Sequence, residues 1–571
     1  MDALSQSLLA QTNNADLIDR SARPRGASSI TLLARLWAQL RPRRRRQLVI
    51  AIALMLLGGL FEMVSLAAVL PLMGLLLGQP SRGGSWIALL FALLLTGGAA
   101  VRLSSLWCNT RLAAAVGSDF SSRAFALLLG QPYAWHLRSR SASLVTTLAP
   151  LMRQMVQQVL MQSLQLLGAS VLLTGLLAIL LTIAWPFVLT VLLMVVPTYA
   201  LLWRLLQKRL HVNGRRVVNA QREQIELLQE CLGGIRELIL RGWQPLAIDR
   251  FTRLDNAMRH REAVNETLTG LPRYLLEPLG LIVILIFGLV LQDSGRSSGD
   301  VVATLGLLAF AAQRLLPLSQ QLWRAWSSLA GGQALIENLL LLLELPEPVT
   351  PTIATPPLEW KQELQLKGIR FAFDTTSRPV LDGVDLVLQR GEWLGVCGPS
   401  GCGKSTLLDV SMGLLLPQAG QLLVDGIDLL AHPDLLRGWQ RSISTVAARS
   451  PLIAGSVMAN IIIEHPSKDS RRLTEIAEIT GVSHWLDREV GDGGRGLSDG
   501  QRQRVAIARA MFHGGNLLVL DEATAALDST AEAELLSRLR AWRDDLGVIL
   551  VSHRDATLSC CDRIVNIGDW S

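Results

Sequence analysis

Long uncharged stretches alternate with arginine-rich ones over the first 320 residues of the chain. Between Arg46 and Arg82 the only charged residue is Glu62, and none lies between Arg82 and Arg102. A third uncharged stretch runs from Arg153 to Arg204. A bilayer core of about 30 Å takes roughly 20 apolar helical residues. The third stretch is therefore too long for one span and suits two. Ala184-Trp185-Pro186-Phe187 marks the turn between them, with Pro as punctuation and Trp at an interface. Apolar stretches beginning near Tyr274 and Asp300 complete a pattern of six spans, at about 48–78, 86–108, 156–183, 186–207, 270–292 and 299–320. An even number of spans returns both ends of the chain to one side.

The pattern changes beyond residue 343. Residues 344–360 contain Pro346, Pro348, Pro351, Pro356 and Pro357 and read as a semi-rigid linker. From 361 to 571 short β-type runs alternate with helical ones, which predicts an α/β nucleotide-binding fold. Residues 1–29 are polar, and the segment from 30 to 343 is expected to be all α. The chain thus reads as a multi-domain membrane protein.

Composition supports this. Half of the 571 residues are hydrophobic and 18% are charged, where soluble proteins carry about a quarter. Arg41 and Arg43 to Arg46 precede the first span, and the 102–153 and 204–261 loops are also rich in Arg. Of Lys and Arg, the opposite loops hold only Arg82 and Arg296. By the positive-inside rule the N-terminus and the C-terminal domain are cytoplasmic, as in a bacterial inner-membrane protein. An Arg run directly ahead of a span is an anchor, and no nucleic-acid partner is expected. The six cysteines form no CxxC pair and read as reduced core residues. No signal peptide is expected, because the first apolar stretch is too long for one.

Three motifs carry chemistry. Gly398-Pro399-Ser400-Gly401-Cys402-Gly403-Lys404-Ser405 fits G-x-x-x-x-G-K-[ST] between a strand (Trp393 to Cys397) and a helix (Thr406 onward). Its backbone N–H groups would wrap the phosphates of ATP. Lys404 would reach the β- and γ-phosphates, and Ser405 would ligate Mg²⁺. Leu517-Leu518-Val519-Leu520 is an apolar strand ending in Asp521 and Glu522. Asp521 would hold Mg²⁺ through water, and Glu522 would act as general base on the attacking water. Leu497-Ser498-Asp499-Gly500-Gln501-Arg502-Gln503-Arg504 resembles the signature of ATP-binding-cassette (ABC) ATPases.

With that resemblance the remaining elements fall in order, and the chain looks like an ABC exporter half-transporter over roughly residues 30–571. The resemblance implies an N-terminal elbow helix, a six-helix transmembrane domain and an ABC ATPase working as a head-to-tail dimer. Ser498, Gly500 and Gln501 of one copy would meet the ATP held by the other. Phe373 matches the adenine-stacking aromatic, Asp528 the D-loop and His553 the switch histidine. The segments Gln131–Arg138 and Leu232–Gly242 resemble coupling helices that dock on the ATPase near Ala448. Two positions depart from the family pattern. Ala448 stands where a Gln normally touches Mg²⁺ and the attacking water, and Asp499 stands where Gly is usual. Slower or less tightly coupled hydrolysis is expected from the first. An unfavourable charge near phosphate is expected from the second if its carboxylate points inward.

Gly59-Leu60-Phe61-Glu62-Met63-Val64 and Pro272-Arg273-Tyr274-Leu275-Leu276-Glu277 resemble exporters of the lipid-linked oligosaccharide flippase type. Ionisable residues at membrane depth are costly and often functional. Glu62, Arg102, Arg273, Glu277 and Arg314 are therefore candidate substrate residues, with Arg suited to a lipid diphosphate. Structural pairing or snorkelling of these charges is the other reading. The expected function is ATP-driven export or flipping of an amphipathic lipid or glycolipid by a homodimer. A multidrug or peptide exporter, one half of a heterodimer, and a weakly hydrolysing regulatory membrane protein are the alternatives.

Overall fold

The computed structural model describes residues 29–69, 72, 84–138, 141–293, 298–347, 355–373, 378–448, 450–463 and 469–570. The polar tail up to residue 28, the outer end of the first expected span and residues 348–354 of the Pro-rich linker lie outside the described residues. The chain forms two compact units. Among the described residues, one joins Pro132–Arg138 to the segment beyond Pro348, and the other holds 29–131 and 141–347.

The helical unit opens with α1 (Ser29–Ala38), which buries Leu32 and Leu36. Next comes α2 (Pro42–Ala67), whose first-turn proline occupies a position where a missing N–H costs nothing. At 1.5 Å per residue its 26 residues reach about 39 Å, enough to cross a bilayer. The 46 residues of α3 (Gly84–Leu129) reach about 69 Å and run well past any membrane thickness. A short α4 (Tyr133–Arg138) belongs to the other unit. Then follow α5 (Ser141–Gln154), a π-helical turn (Met155–Leu160), and α6 (Met161–Gly233). The unit ends with α7 (Ile235–Arg241), α8 (Gln244–Asp293), α9 (Ser298–Gly331) and α10 (Gln333–Leu343).

Backbone geometry is helical throughout Met161–Gly233, across the expected turn. Yet Gln154 Nε2 donates to Gln221 Oε1 at 2.7 Å, although 67 residues separate them. A straight helix would hold them about 100 Å apart. The chain therefore folds back between these residues, and Pro186, which lacks the N–H needed to continue a helical ladder, lies near the midpoint. Among the described residues five segments are long and apolar enough to cross a membrane: Pro42–Ala67, Ala88–Leu129, Leu148–Ile183, Trp185–Gly233 and Gln244–Val290. The stretch read as a sixth span lies in α9, which also carries Gln313, Arg314 and Pro317. α6 and α9 approach closely at Gly214, where a Cβ would fall 2.1 Å from the Gly331 carbonyl oxygen.

The second unit is built on two larger sheets. The antiparallel one has the order β2-β1-β4-β5: β1 (Glu363–Phe371), β2 (Leu381–Gln389), β4 (Ala419–Val424) and β5 (Ile427–Asp428). The parallel one has the order β11-β3-β10-β9-β6, with β3 at Trp393–Cys397, β6 at Ile443–Ala447, β9 at Leu517–Asp521, β10 at Gly547–Val551 and β11 at Arg563–Asn566. A small pair, β7 (Gly455–Ser456) and β8 (Glu489–Val490), stands apart. Successive residues of β9 face opposite sides, so Leu517 and Val519 enter one core while Leu518 and Leu520 enter another. A sheet covered on both faces reads as an unbroken apolar run, which is what Leu517 to Leu520 shows. One core takes α11 (Lys404–Ser411) and α12 (Pro433–Arg441). The other takes α13 (Val457–Ile462), α14 (Ser470–Thr480), α15 (Asp499–His513) and α16 (Ser529–Trp542). A last short helix, α17, covers Asp555–Leu558.

Candidate functional site

Strand order and register assemble the nucleotide site. β10 lies between β3 and β9, with Val551 opposite Val396 on one side and Asp521 on the other. The carboxyl ends of three neighbouring parallel strands therefore emerge together. They carry Gly398–Ser405 after β3, Asp521–Glu522 after β9, and Ser552–His553 after β10. Ligands of open α/β sheets bind at this edge.

The loop Gly398, Pro399, Ser400, Gly401, Cys402, Gly403 leads into α11. Gly403 is its N-cap at φ 102°, a conformation that L side chains rarely adopt. A Cβ at Gly403 would also crowd Val380, 3.0 Å from its Cγ1. The first N–H groups of α11, on Lys404, Ser405 and Thr406, have no partner within the helix and suit an anion. Lys404 is buried, and its ammonium donates to the carbonyls of Gly398 (2.8 Å) and Pro399 (3.0 Å). Ser405 Oγ donates to Asp521 Oδ2 at 3.4 Å. Burial first, then the neighbouring Glu522 charge, push the Asp521 carboxyl up, against the opposing pull of Ser405 and Lys404.

Glu522 is one of two non-glycine residues at positive φ (51°) among those described. Such backbone strain persists where the surroundings over-determine it, and it clusters at active sites. The Glu522 N–H donates to Val551 O at 3.2 Å, and His553 Nε2 lies 3.2 Å from Glu522 Oε1. The Glu522 carboxylate and the His553 imidazole are thus in contact. Ala447 pairs with Asp521 across β6 and β9, so Ala448 lies one residue past that pair, beside the carboxylates. Its methyl can make no polar contact there.

Asp409 was not anticipated from the sequence. It lies one helical turn after Ser405 on the same face of α11, and that i,i+4 spacing is the signal that could have found it. Burial, then the Asp521 charge, push its carboxyl up to about 6. Asp409 is thus close enough to feel the Asp521 charge. Ser405 Oγ and Asp521, already in contact, are a donor pair that fits Mg²⁺, which takes one or two protein oxygens and completes its shell with water and phosphate. When bound, Mg²⁺ would neutralise charge on the β- and γ-phosphates, held by Ser405 and by Asp521.

Ser498 is the N-cap of α15 and forms a capping box. Its Oγ accepts from the Gln501 N–H at 3.2 Å, and Gln501 Oε1 accepts from the Ser498 N–H at 3.0 Å. Asp499 pairs with Arg502 on the same helix, so its carboxylate is neutralised within α15. A Cβ on Gly500 would sit 3.2 Å from the Ala526 carbonyl oxygen, which explains a small residue there. Asp528 caps α16, accepting from the Ala531 N–H at 2.8 Å and from Thr530 Oγ1 at 2.7 Å. Phe373 is 38% exposed just past β1 and meets Phe371 edge-on at 5.2 Å, leaving its ring accessible to a flat base. On α4, Ala134 packs against the core that holds Leu407 and Leu408. Burial and then the Asp409 charge push the Tyr133 phenol up, so this helix reaches the P-loop helix. Its counterpart α7 buries no residue and exposes Ile235, Ile239 and Leu240.

The five candidate charges of the helical unit fall into two groups. Glu62 on α2 is buried and accepts from Arg102 on α3, while Arg314 on α9 lies 3.5 Å away. Arg314 also stacks over Phe310 at 5.5 Å. Arg273 and Glu277 pair along α8 at 3.5 Å, half-exposed, and line a cavity of about 980 Å³ with Trp203, Gln313, Trp323 and Trp326. Glu62, Arg102 and Arg314 do not line that cavity.

Comparison with known proteins identifies this arrangement. A family profile described as "ABC transporter transmembrane region" matches residues 48–315, and one described as "ABC transporter" matches 381–525. The "ATP-dependent lipid A-core flippase" of Chromobacterium violaceum is 30% identical over 68% of each chain. The chain belongs to the ABC transporter family. A second ATP-dependent lipid A-core flippase, from Ralstonia nicotianae, is 28% identical over 95% of this ABC transporter and 93% of the relative. Among solved structures, a bacterial Atm1-family ABC exporter with ATP bound superposes with a TM-score of 0.76. It covers 91% of this chain and 93% of its own at 21% identity, which establishes a shared fold. The transporter is thus a membrane protein whose cassette is a transport-coupled ATPase.

Proposed function

We propose that this ABC transporter hydrolyses ATP to move an amphipathic lipid or lipid-linked oligosaccharide across the bacterial inner membrane. In this reading it is a homodimer with six spans per copy, and its N-terminus and ATPase are cytoplasmic. The observation that carries the proposal is the convergence of Lys404, Asp521, Glu522 and His553 on one sheet edge, in a chain with membrane-spanning helices. Glu522 orients and deprotonates the attacking water, His553 holds Glu522 and senses the γ-phosphate, and Lys404 binds the phosphates. Phe373 stacks on adenine.

The dimer is supported by the placement of the signature. Ser498, Gly500 and Gln501 stand at the start of α15, whose apolar face packs in one core, while α11 packs in the other. A second copy would bring its Ser498 end to the P-loop of the first. The exposed apolar residues of α7 would dock on the same partner.

An amphipathic substrate is supported by the cavity beside α8, apolar over most of its wall and polar at Arg273, Glu277 and Gln313. The two relatives named as lipid A-core flippases point to the same substrate class. Arg273 and Glu277 are the residues placed to meet a headgroup, and Glu62, Arg102 and Arg314 join α2, α3 and α9. Ala448 favours one second reading, a half-transporter completed by a related chain that supplies the missing Gln.

ATP turnover by the protein in lipid nanodiscs, beside Glu522→Gln, tests the proposal. Loss of turnover in the variant is expected, followed by ATP-dependent transbilayer movement of a lipid-diphosphate sugar in proteoliposomes. No turnover in the unaltered protein would overturn the active homodimer.

A further inference from the structure

A polar network lies behind the catalytic edge. Glu532 on α16 is 4% exposed, and its carboxylate accepts three hydrogen bonds. They come from Thr524 Oγ1 (2.6 Å), Thr557 Oγ1 (2.8 Å) and Arg554 Nη1 (2.9 Å). Thr524 follows Glu522 by two residues, and Arg554 follows His553 directly. The network therefore joins the segment of the general base to the segment of the switch histidine.

Arg554 does more than pair with Glu532. Its Nη1 also donates to Leu527 O at 3.0 Å, and its Nη2 donates to Ala525 O at 2.9 Å. From the other side, Gln503 of the signature helix accepts from the Ala526 N–H at 3.0 Å. Three consecutive residues of the D-loop, Ala525 to Leu527, thus each have a backbone atom held by a side chain. A planar guanidinium presents five donors in a fixed fork, whereas a lysine ammonium on a flexible stem cannot cover the same acceptors. Glu532 in turn fixes the plane of the fork. Leaving such a buried carboxylate without its cation is costly, so the arrangement is over-determined.

We propose that Arg554 and Glu532 are positioning residues that lock the D-loop to the switch histidine. Any shift of His553 towards or away from Glu522 carries the Arg554 backbone with it. The guanidinium transmits that shift to the carbonyls of Ala525 and Leu527, and so to Asp528 at the start of α16. The lock lies within one chain. Its relay to a second nucleotide rests on the dimer reading above, and only that last step fails if the dimer reading fails.

The test uses the full chain in nanodiscs with Arg554→Ala, Arg554→Lys and Glu532→Gln. Leu535→Ala, a buried apolar truncation on the same helix, serves as a stability control. Small misplacements remote from the chemistry can cost about 100-fold. Arg554→Ala is expected to lower kcat by about 10- to 100-fold with KM for ATP within about threefold, and Arg554→Lys to recover part of the loss. Hydrogen exchange of a peptide covering 523–531 should quicken in Arg554→Ala while the P-loop stays protected, a readout that needs no turnover. If Arg554→Ala does not fold, Arg554→Lys and Glu532→Gln carry both measurements. The proposal is overturned if kcat falls no further than in Leu535→Ala, if KM rises in step with any loss, or if exchange at 523–531 is unchanged.

Discussion

Restoring a polar side chain at residue 448 is the sharpest perturbation the site offers. β6 runs parallel to β9 with Ala447 opposite Asp521, so a residue-448 side chain leaves the sheet beside Asp521 and Glu522. Ala448 is exposed, so a longer side chain meets no packing obstacle. A Gln there could donate to the attacking water and accept at the Mg²⁺ shell. The upper bound is the loss seen when a pre-placed donor is removed from a reacting centre, about 10²- to 10³-fold. Water can fill much of that role, because Mg²⁺ retains water ligands readily. The gain should therefore be closer to one net hydrogen bond, about 0.5–1.5 kcal/mol, or about 2- to 13-fold in rate. We expect Ala448→Gln to raise kcat for ATP by that factor in nanodiscs, and to shift half-saturation by Mg²⁺ to lower concentration. A kcat unchanged or lower, with ATP binding intact, would refute the argument that Ala448 is a missing polar contact.

Other predictions concern the remaining charges. The Asp409 carboxyl, raised to about 6 against an ordinary 3.8, takes up protons more readily folded than unfolded, so without Mg²⁺ stability falls as pH rises from about 4 through about 6. Asp409→Asn should remove that slope and stabilise the Mg²⁺-free protein at pH 7.5. The shift corresponds to about 3 kcal/mol, which partial exposure reduces to about 1–2 kcal/mol; a slope that survives in melting temperature against pH would refute it. Glu62→Ala leaves two guanidinium groups facing each other, whereas Arg102→Ala leaves Glu62 beside Arg314. The first should cost about 3 kcal/mol or more and the second about 1 kcal/mol, read as thermal midpoints in detergent. Arg273→Ala should leave the midpoint nearly unchanged and lower lipid movement at constant ATPase; equal effects of all three would refute the division of charges into two groups.

What the sequence made legible follows from how local each constraint is. The P-loop, the Asp521–Glu522 strand end and the signature are contiguous runs, so their chemistry is readable before any fold is known. Asp409 was harder, because its signal is a single i,i+4 offset from Ser405, indistinguishable from any other polar residue on a helix. The Arg554–Glu532 lock could not be read at all, since it draws on 524, 525, 527, 532, 554 and 557 across two segments. The consequence of Asp499 was also a matter of geometry. Repulsion of phosphate was expected only if the carboxylate pointed inward, and it pairs with Arg502 one turn on along the same helix.

In the helical unit the charge-free stretches located the apolar helices but not their partners. Five ionisable residues formed one list in sequence, and burial divides them. Glu62 is nine-tenths shielded and is met by cations from two other helices, the pattern of a charge retained to fix how helices pack. Arg273 and Glu277 are neighbours on a single helix, half-exposed, at the wall of a cavity. A pair one turn apart on the same helix adds nothing to the contact between helices. Under the proposed function, this is the pair placed to meet what enters the cavity.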